Sequence, residues 1–592
     1  MQLDYSRDAS LSKFSIETLK DRYMVPGETS PQDVFARAAR TFADDDAHAQ
    51  RLYNYISKLW FMPATPILSN GGTKRGLPIS CFLNYVPDSR KGITDHYTEN
   101  AFLSSAGGGI GTYWGDVRSS GTNTSGGSQS TGVIPFVKVV DSEMLAFSQG
   151  ITRRGSAAVY LDMSHPEIEE FLDIRKPTGG DISRKSLNLH HGVLVTDKFM
   201  ELIERATLEP GFDDSWPLID PHTNQVVKTV PAKVLWIKLM QNRMEQGEPY
   251  IIYIDALQRA LPDFQKKLGL KVHHSNLCVE ITLPTNEDRT AVCCLSSLNL
   301  EEFDQWHDVP EFIPDVMRML DNVLTYFIEN APDELSKAVY SAQRERSVGL
   351  GTMGFHAYLQ RHDIPFESTL AMSANMRMFK HISSQANQAS YDLAVERGAC
   401  PDAAEFGIME RFAHKMAIAP NASSSIICGN TSPSIEPYRA NCFNQKTKSG
   451  TSMLHNEYLE HHLDELGMNH KEVWDSIMAH KGSVQHLEFL DDHTKAVFKT
   501  ADEIDQRWII EHAAYRQQYI CQSQSLNLFF APNVSKHELH DVHMLAWKKG
   551  VKTLYYLRSD STLKTENINE AVERHEFKFS FADNDECLAC EG

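Results

Sequence analysis

The sequence predicts a mixed α/β fold, on three observations. Residues 1–70 read as mostly helical, with polar turns such as Pro26-Gly27-Glu28 between short amphipathic stretches. Beyond about residue 160, short apolar runs alternate with helical patterns. Strand candidates at 192–196 and 551–557 stand among clear helices, a mixture that argues for α/β layers. The helix over 314–330 has Pro314 in its first turn, and Val316, Leu320, Val323 and Phe327 recur on one face. Another helix ends at Gly398, with Pro401 just beyond as a stop signal. Well before them in the chain, 104–132 carries nine glycines with many Ser and Thr, a loop length rarely seen without function. Residues 566–592 are polar, acidic and without periodicity, as expected of a mobile tail. The chain is thus expected to divide into a helical segment 1–75, an α/β body 76–565 and a tail 566–592.

With 592 residues, 41% hydrophobic and 23% charged, the chain is long enough for a large core and too apolar for disorder. A net charge of -20 argues against binding a nucleic-acid polymer, which needs Lys and Arg against phosphates. It leaves room for a single nucleotide in a local pocket. The first residues lack the apolar core of a signal peptide, and no run of 18 apolar residues suggests a membrane span. A cytoplasmic protein without membrane contact is expected. The ten cysteines, at 81, 278, 293, 294, 400, 428, 442, 521, 587 and 590, are scattered, which fits a reducing compartment.

Ser275-Asn276-Leu277-Cys278-Val279-Glu280 is the most informative segment. In an extended backbone the spacing by two points Asn276, Cys278 and Glu280 the same way, with Leu277 and Val279 toward the core. One face then carries a hydrogen-bonding amide, a thiol and a general base. An ordinary amphipathic strand with a buried cysteine has the same pattern. At the C-terminus, Cys587-Leu588-Ala589-Cys590 suits either a dithiol or half of a zinc site, though no second C-x-x-C accompanies it. Neither a P-loop nor a dinucleotide fingerprint is present, because Gly107-Gly108-Gly109-Ile110-Gly111 is out of register for the latter. Ala419-Pro420-Asn421-Ala422-Ser423-Ser424-Ser425 offers hydroxyls and backbone N–H groups for an anion.

The hexapeptide, with Ile281-Thr282-Leu283-Pro284-Thr285 after it, closely resembles the active-site loop of class I ribonucleotide reductase large subunits. The resemblance runs from about residue 50 to the C-terminus. It implies a ten-stranded α/β barrel, made of two five-stranded parallel halves antiparallel to each other, behind an N-terminal helical domain. It further implies a ribonucleoside-diphosphate reductase with five working cysteines. Cys278 would become the thiyl radical, Cys81 and Cys293 would supply two electrons, and Cys587 and Cys590 would reduce the resulting disulfide. Glu280 would be the base and Asn276 would hold substrate hydroxyls. Val551-Lys552-Thr553-Leu554-Tyr555-Tyr556 resembles the strand that carries the family's tyrosine pair, so Tyr555 and Tyr556 would relay oxidation to Cys278.

No histidine has Glu three residues before it, so no di-iron or di-manganese motif is readable, no metal site is expected and no cofactor is expected to be covalently bound on this chain. The resemblance implies that a metal-containing small subunit supplies the radical. Adenosylcobalamin, as in class II enzymes, is the alternative within the family, and a thiol–disulfide oxidoreductase is the alternative outside it. By resemblance, Thr65, Ser80, Gly109, Asn421, Ala422, Ser423 and Ser424 contact substrate, with Ala422 standing where many relatives carry Glu. Asp88, Ser89 and Arg118 match effector positions. Gln149 and Arg154 match a second loop that reports effector identity; one extra residue there leaves Arg153 as the alternative to Arg154. Effectors would be ATP, dATP, dTTP and dGTP, the assembly a homodimer that binds the small subunit, and the reductant thioredoxin or glutaredoxin. The helical region before Ala64-Thr65-Pro66 is too short for the ATP-binding cone that opens many relatives.

Overall fold

The computed structural model describes residues 1–79, 81–147, 155–292, 294–447 and 450–559. The chain opens with helices whose starts the sequence specifies. Ser12 caps Lys13–Arg22 by accepting from the Ser15 backbone N–H. Ser30 and Asp33 form a reciprocal capping box on Pro31–Thr41, with proline in its first turn. Asp45 caps Asp46–Ser57. The apolar faces of these helices join the main core through Val34, Phe35, Leu52 and Ile56.

The body is a ring of strands. Cys81–Tyr85, Gly109–Tyr113, Ser156–Asp162, His190–Val195 and Tyr250–Tyr253 lie side by side in that order, all parallel. The second half repeats the plan. Leu295–Asn299 runs parallel to Gly349–Met353. Leu350 then bridges Met416, and Ile418 bridges Gln524, both in parallel. Leu528–Phe529 closes the row against Leu557–Arg558, again in parallel. The halves meet antiparallel at two seams, Phe82 opposite Val292 and Leu554 opposite Ile251. Ala291–Val292 leads into Leu295–Asn299, and Thr553–Leu554 into Leu557–Arg558, so these two segments serve both halves and complete the expected ten-stranded α/β barrel. Strands enclosed on both faces need apolar or small residues throughout. All of Gly349–Met353 and all but the first residue of His190–Val195 are buried.

Helices connect the strands outside the ring. The expected helix at 314–330 is Phe312–Asn330, and the one ending at Gly398 is Thr369–Arg397. Two strand expectations need adjusting. The first candidate spans His190–Val195, because Thr196 already caps the following helix through its hydroxyl. The second, 551–557, is split into Thr553–Leu554 and Leu557–Arg558, since the chain changes partner strand between them. A hairpin, Cys442–Thr447 with Gly450–His455, and helices Glu457–Glu465, Lys471–Ala479 and Asp492–Val497 form an insertion with a small core of its own around Leu459, Trp474 and Phe498.

Candidate active site

The segment 271–285 crosses the inside of the ring and is tied to both halves. His274 Nε2 donates to the Gly111 carbonyl at 3.0 Å, and the Ser523 N–H donates to the Glu280 carbonyl at 2.9 Å. Gly111 permits this approach, because a Cβ there would fall 2.1 Å from the Ser275 carbonyl oxygen. Tyr160, on the next strand, donates to the Asn276 carbonyl at 2.5 Å and receives a hydrogen bond from Ser275 Oγ at 2.9 Å.

The tip is a turn, which corrects the extended backbone expected for 275–280. The Asn276 N–H donates to Ile281 O at 3.2 Å, while the Ile281 N–H donates to Asn276 Oδ1 at 3.0 Å. Val279 takes φ 66°, a left-handed conformation that a β-branched residue adopts only under constraint, at a cost of about 1–3 kcal/mol. Period-two spacing fits a strand, but the contacts from Gly111, Tyr160 and Ser523 bend the segment into a finger. Its side chains still converge. Asn276 Nδ2 donates to Cys81 Sγ at 3.2 Å. Ser525 Oγ lies 2.6 Å from the Cys278 carbonyl oxygen and 3.1 Å from Glu280 Oε2, positioned to donate to either. Glu280 Oε1 is buried and has no hydrogen-bond partner among the described residues. Burial, then the neighbouring Cys81, push the Glu280 carboxyl up to about 8, against the opposing hydrogen bonds of Asn276 and Ser525.

A tyrosine column starts at the sulfur. Tyr555 OH lies 3.6 Å from Cys278 Sγ. The rings of Tyr555 and Tyr556 are 4.2 Å apart between centroids, inclined at 48°. Tyr250 packs against both, at 4.9 and 5.2 Å. Lys552 anchors this strand: its buried ammonium donates to the carbonyls of Ile520, Cys521 and Gln522 at 3.1, 2.8 and 2.7 Å. Burial draws that ammonium down to about 8.

Across the ring, Asn421 adopts φ 59° and opens the short helix Ala422–Ile427, with Ser423, Ser424 and Ser425 buried behind it. Asn421 Nδ2 donates to Ser297 Oγ at 2.7 Å, which fixes the turn to the strand Leu295–Asn299. Thr65 begins the helix Thr65–Asn70, 3.0 Å from Tyr23 OH. Gly109 lies directly opposite Cys81 in the sheet. At the rim, Asp88 accepts from Arg118 Nε at 3.0 Å and pairs with His222 Nδ1 at 3.0 Å, and Ser89 caps the helix Arg90–Ser105.

The barrel-domain model of ribonucleotide reductase matches residues 79–410 and 402–557, and the all-alpha-domain model matches 9–76. The chain belongs to the ribonucleotide reductase large-subunit family. The ribonucleoside-diphosphate reductase large subunit of Invertebrate iridescent virus 3 is 44% identical over 641 aligned residues, covering 100% of each chain. A putative large subunit from Frog virus 3 is 46% identical, covering 92% of each chain. Among solved structures, the alpha subunit of the Actinobacillus ureae class Id ribonucleotide reductase superimposes with a TM-score of 0.82 at 34% identity, covering 96% of this chain and 100% of that one. Large subunits of the family rely on a separate small subunit for their radical.

Of the residues singled out in this ribonucleotide reductase chain, the structure brings Asn276, Glu280 and Cys81 together, sets Tyr555 and Tyr556 in line with Cys278, and pairs Asp88 with Arg118. Ser80, Gln149, Arg153, Arg154, Cys293, Cys587 and Cys590 lie outside the described residues. Sequence reasoning missed Tyr160, Tyr250, Ser523, Ser525 and His190. None stands in a motif with a chemical reading, and only the ring's closure places them at the site. No helix among the described residues is long and apolar enough to cross a membrane.

Proposed function

We propose that this chain reduces ribonucleoside diphosphates with a thiyl radical at Cys278, delivered through Tyr556 and Tyr555 from a metal-containing small subunit. One observation carries the reading: the Tyr555 phenol stands 3.6 Å from the Cys278 sulfur, inside a buried column of aromatic rings. An oxidised Tyr555 takes the Cys278 hydrogen atom, and the sulfur radical takes the 3′ hydrogen of the ribose. Glu280 removes the 3′-OH proton, and its raised affinity makes it a strong base once it is ionised. The 2′-OH leaves as water with a proton from the Cys81–Cys293 pair. That pair then supplies two electrons and becomes a disulfide, and Cys278 returns a hydrogen atom to C3′. Asn276 holds the sugar hydroxyls, and Thr65, Ser80, Gly109 and residues 421–424 hold the rest of the nucleotide. Enclosure in the ring keeps water from the radical.

Cys587 and Cys590 renew the dithiol by exchange, with thioredoxin or glutaredoxin as the final reductant. Asp88, Ser89, Arg118, Gln149 and Arg154 read nucleoside triphosphate effectors in a cytoplasmic homodimer. The test is reduction of CDP by the purified chain with dithiothreitol and ATP or dATP, with and without the small subunit. Deoxycytidine diphosphate should form only with the small subunit, and Cys278→Ser should drop it to background with effector binding retained. Turnover with adenosylcobalamin alone overturns the assignment, as does an active Cys278→Ser variant.

A further inference from the structure

At the rim of the barrel one carboxylate holds two basic side chains from separate segments. Asp88 Oδ1 accepts from the Arg118 backbone N–H at 3.2 Å and from Arg118 Nε at 3.1 Å. Asp88 Oδ2 accepts from Nε at 3.0 Å, and Nη2 lies 3.0 Å from the same oxygen. His222 Nδ1 reaches Oδ2 as well, at 3.0 Å. The two partners are not held alike. The side chains of Arg118 and Asp88 are 17% and 18% exposed, and Arg118 Nη1 is further engaged by the Asn123 carbonyl at 2.9 Å. The His222 side chain is 46% exposed and meets Asp88 through a single contact. His222 is therefore the partner that Asp88 can most readily exchange for a ligand.

The backbone that carries His222 is firmly placed. It forms the turn of a hairpin, Ser215–Ile219 with Val226–Pro231. Trp216 Nε1 donates to the Met163 carbonyl at 3.0 Å, and the Ile219 N–H donates to the Ser164 carbonyl at 2.7 Å, which fixes the hairpin beside the strand Ser156–Asp162. Asp220, 1% exposed, clips the turn to the glycine-rich segment. Its Oδ2 accepts from the Ser119 N–H, Ser119 Oγ and Thr122 Oγ1 at 2.8, 2.7 and 2.8 Å. Its Oδ1 accepts from the backbone N–H groups of His222 and Thr223 at 3.1 and 2.8 Å. The glycine-rich segment is itself a ribbon, in which the Gly121 N–H donates to Ser130 O at 3.0 Å and the Ser130 N–H to Thr122 O at 2.8 Å. One buried carboxylate thus sets His222 and the ribbon that follows Arg118 in a fixed relation, so little order remains to be imposed when a ligand arrives.

We propose that His222 is a contact of the nucleoside triphosphate effector, giving up Asp88 to a ribose hydroxyl and donating its freed N–H to a phosphate oxygen. This rests on the reading of Asp88, Ser89 and Arg118 as effector residues. A carboxylate only accepts hydrogen bonds, whereas the imidazole N–H and the guanidinium donate them. A nucleoside triphosphate carries both complements, sugar hydroxyls that donate and phosphate oxygens that accept. The exchange leaves no group unpaired. Asp88 trades an N–H for an O–H, and His222 trades a carboxylate oxygen for a phosphate oxygen, so the site forfeits no hydrogen bond on binding. Ser89 caps the helix Arg90–Ser105 next to Asp88, and the positive end of that helix favours a phosphate in the same place. Such local help matters on a chain whose net charge is -20. Neither contact touches the base, so His222 should serve every effector alike.

The test measures binding of dTTP and of dGTP to the full chain by equilibrium dialysis, for the wild type, His222→Ala, His222→Asn and Asp88→Asn. His222→Ala should weaken both nucleotides by about tenfold, the scale of one hydrogen bond to a charged group. The factor should be the same for the two bases. His222→Asn sets an amide N–H close to where the imidazole Nδ1 stands, so it should bind within about threefold of the wild type. It also keeps a polar side chain in the turn, so a variant that folds is in hand if the alanine variant does not. Unchanged affinity in His222→Ala overturns the proposal. Tighter binding overturns it too, because the imidazole would then only cover Asp88. Equal losses in His222→Ala and His222→Asn, or a loss confined to one base, overturn it by assigning the effect to the shape of the turn. Asp88→Asn separates this proposal from the reading beneath it. Normal binding by Asp88→Asn removes the effector site itself, whereas lost binding there beside unaltered His222 variants leaves the effector site standing and removes only the His222 contact.

Discussion

Glu280 lies at the centre of the barrel and Glu248 at its edge, and both are shut away from water, at 0% and 1% exposure. Desolvation acts on each in the same direction, toward the protonated form. Their surroundings then part company. Glu280 is met by the neutral donors Asn276 and Ser525 and by the Cys81 thiol, so it rises to about 8. Glu248 meets a guanidinium and two imidazoles and falls well below the ordinary carboxylate range. Depth therefore does not decide the charge of a buried acid here; its partners do. The centre gains a base of high proton affinity, and the edge gains a lasting negative charge.

The largest effect should come from taking the carboxylate out of the centre. Glu280→Gln should lower turnover by about 10²–10⁴-fold. In the wild type, kcat/KM should climb with pH toward about 8, where the base form appears. Stability should move the opposite way. Between the ordinary carboxylate range and about 8 the folded state binds the extra proton, so this group's contribution is present at low pH and is lost as pH rises. Chemical unfolding at pH 5 and pH 9 should show Glu280→Gln gaining on the wild type by a few kcal/mol. A gap that stays constant with pH contradicts the contrast drawn above.

At the edge the sign reverses. Glu248→Gln leaves the largely enclosed Arg175 without its anion, a loss of about 3 kcal/mol in unfolding free energy. The Glu248 carboxyl is depressed, so its contribution is present above the ordinary carboxylate range and fades only as pH falls through its own low value. The deficit of Glu248→Gln should therefore stay flat from pH 6 to pH 9. A deficit that shrinks as pH rises through this range would mean that the carboxylate is not the fixed charge described.

The same contrast shows what could be read without the fold. The centre was legible as a candidate because Asn276, Cys278 and Glu280 fall within five residues, while the roles of Cys278, Tyr555 and Tyr556 came from resemblance. The ten-stranded ring came from resemblance, since periodicity reached only α/β. The turn at 277–279 was not legible, because spacing by two serves a strand and a tight turn alike, and Val279 itself favours a strand. Contacts from Gly111, Tyr160 and Ser523, distant in sequence, override that preference. The edge was not legible at all. Arg175, His190 and Glu248 come from separate segments, and only the sheet sets His190–Val195 beside Tyr250–Tyr253. Likewise 551–557 reads as one strand until the seam at Leu554 and the parallel pair at Leu557 show it changing sides.

Ser525→Ala is the mildest probe and the one that tests the neutral donors directly. The hydroxyl lies within hydrogen-bond reach of both the Cys278 carbonyl oxygen and the Glu280 carboxyl. Removing it should cost about 1 kcal/mol in stability, the worth of one buried hydrogen bond. Its effect on the base should be more telling than its effect on the fold. Ser525 lowers the proton affinity of Glu280, so without it that affinity should climb further above 8. The kcat/KM–pH curve should move to higher pH, with turnover at neutral pH down by about tenfold, equal to a change of about 1.4 kcal/mol. Rates that converge on the wild type at high pH would locate the defect in the charge of Glu280 rather than in the shape of the finger. An equal loss at every pH would instead assign Ser525 to holding the Cys278 carbonyl, and the neutral-donor account of the centre would fall to Asn276 alone.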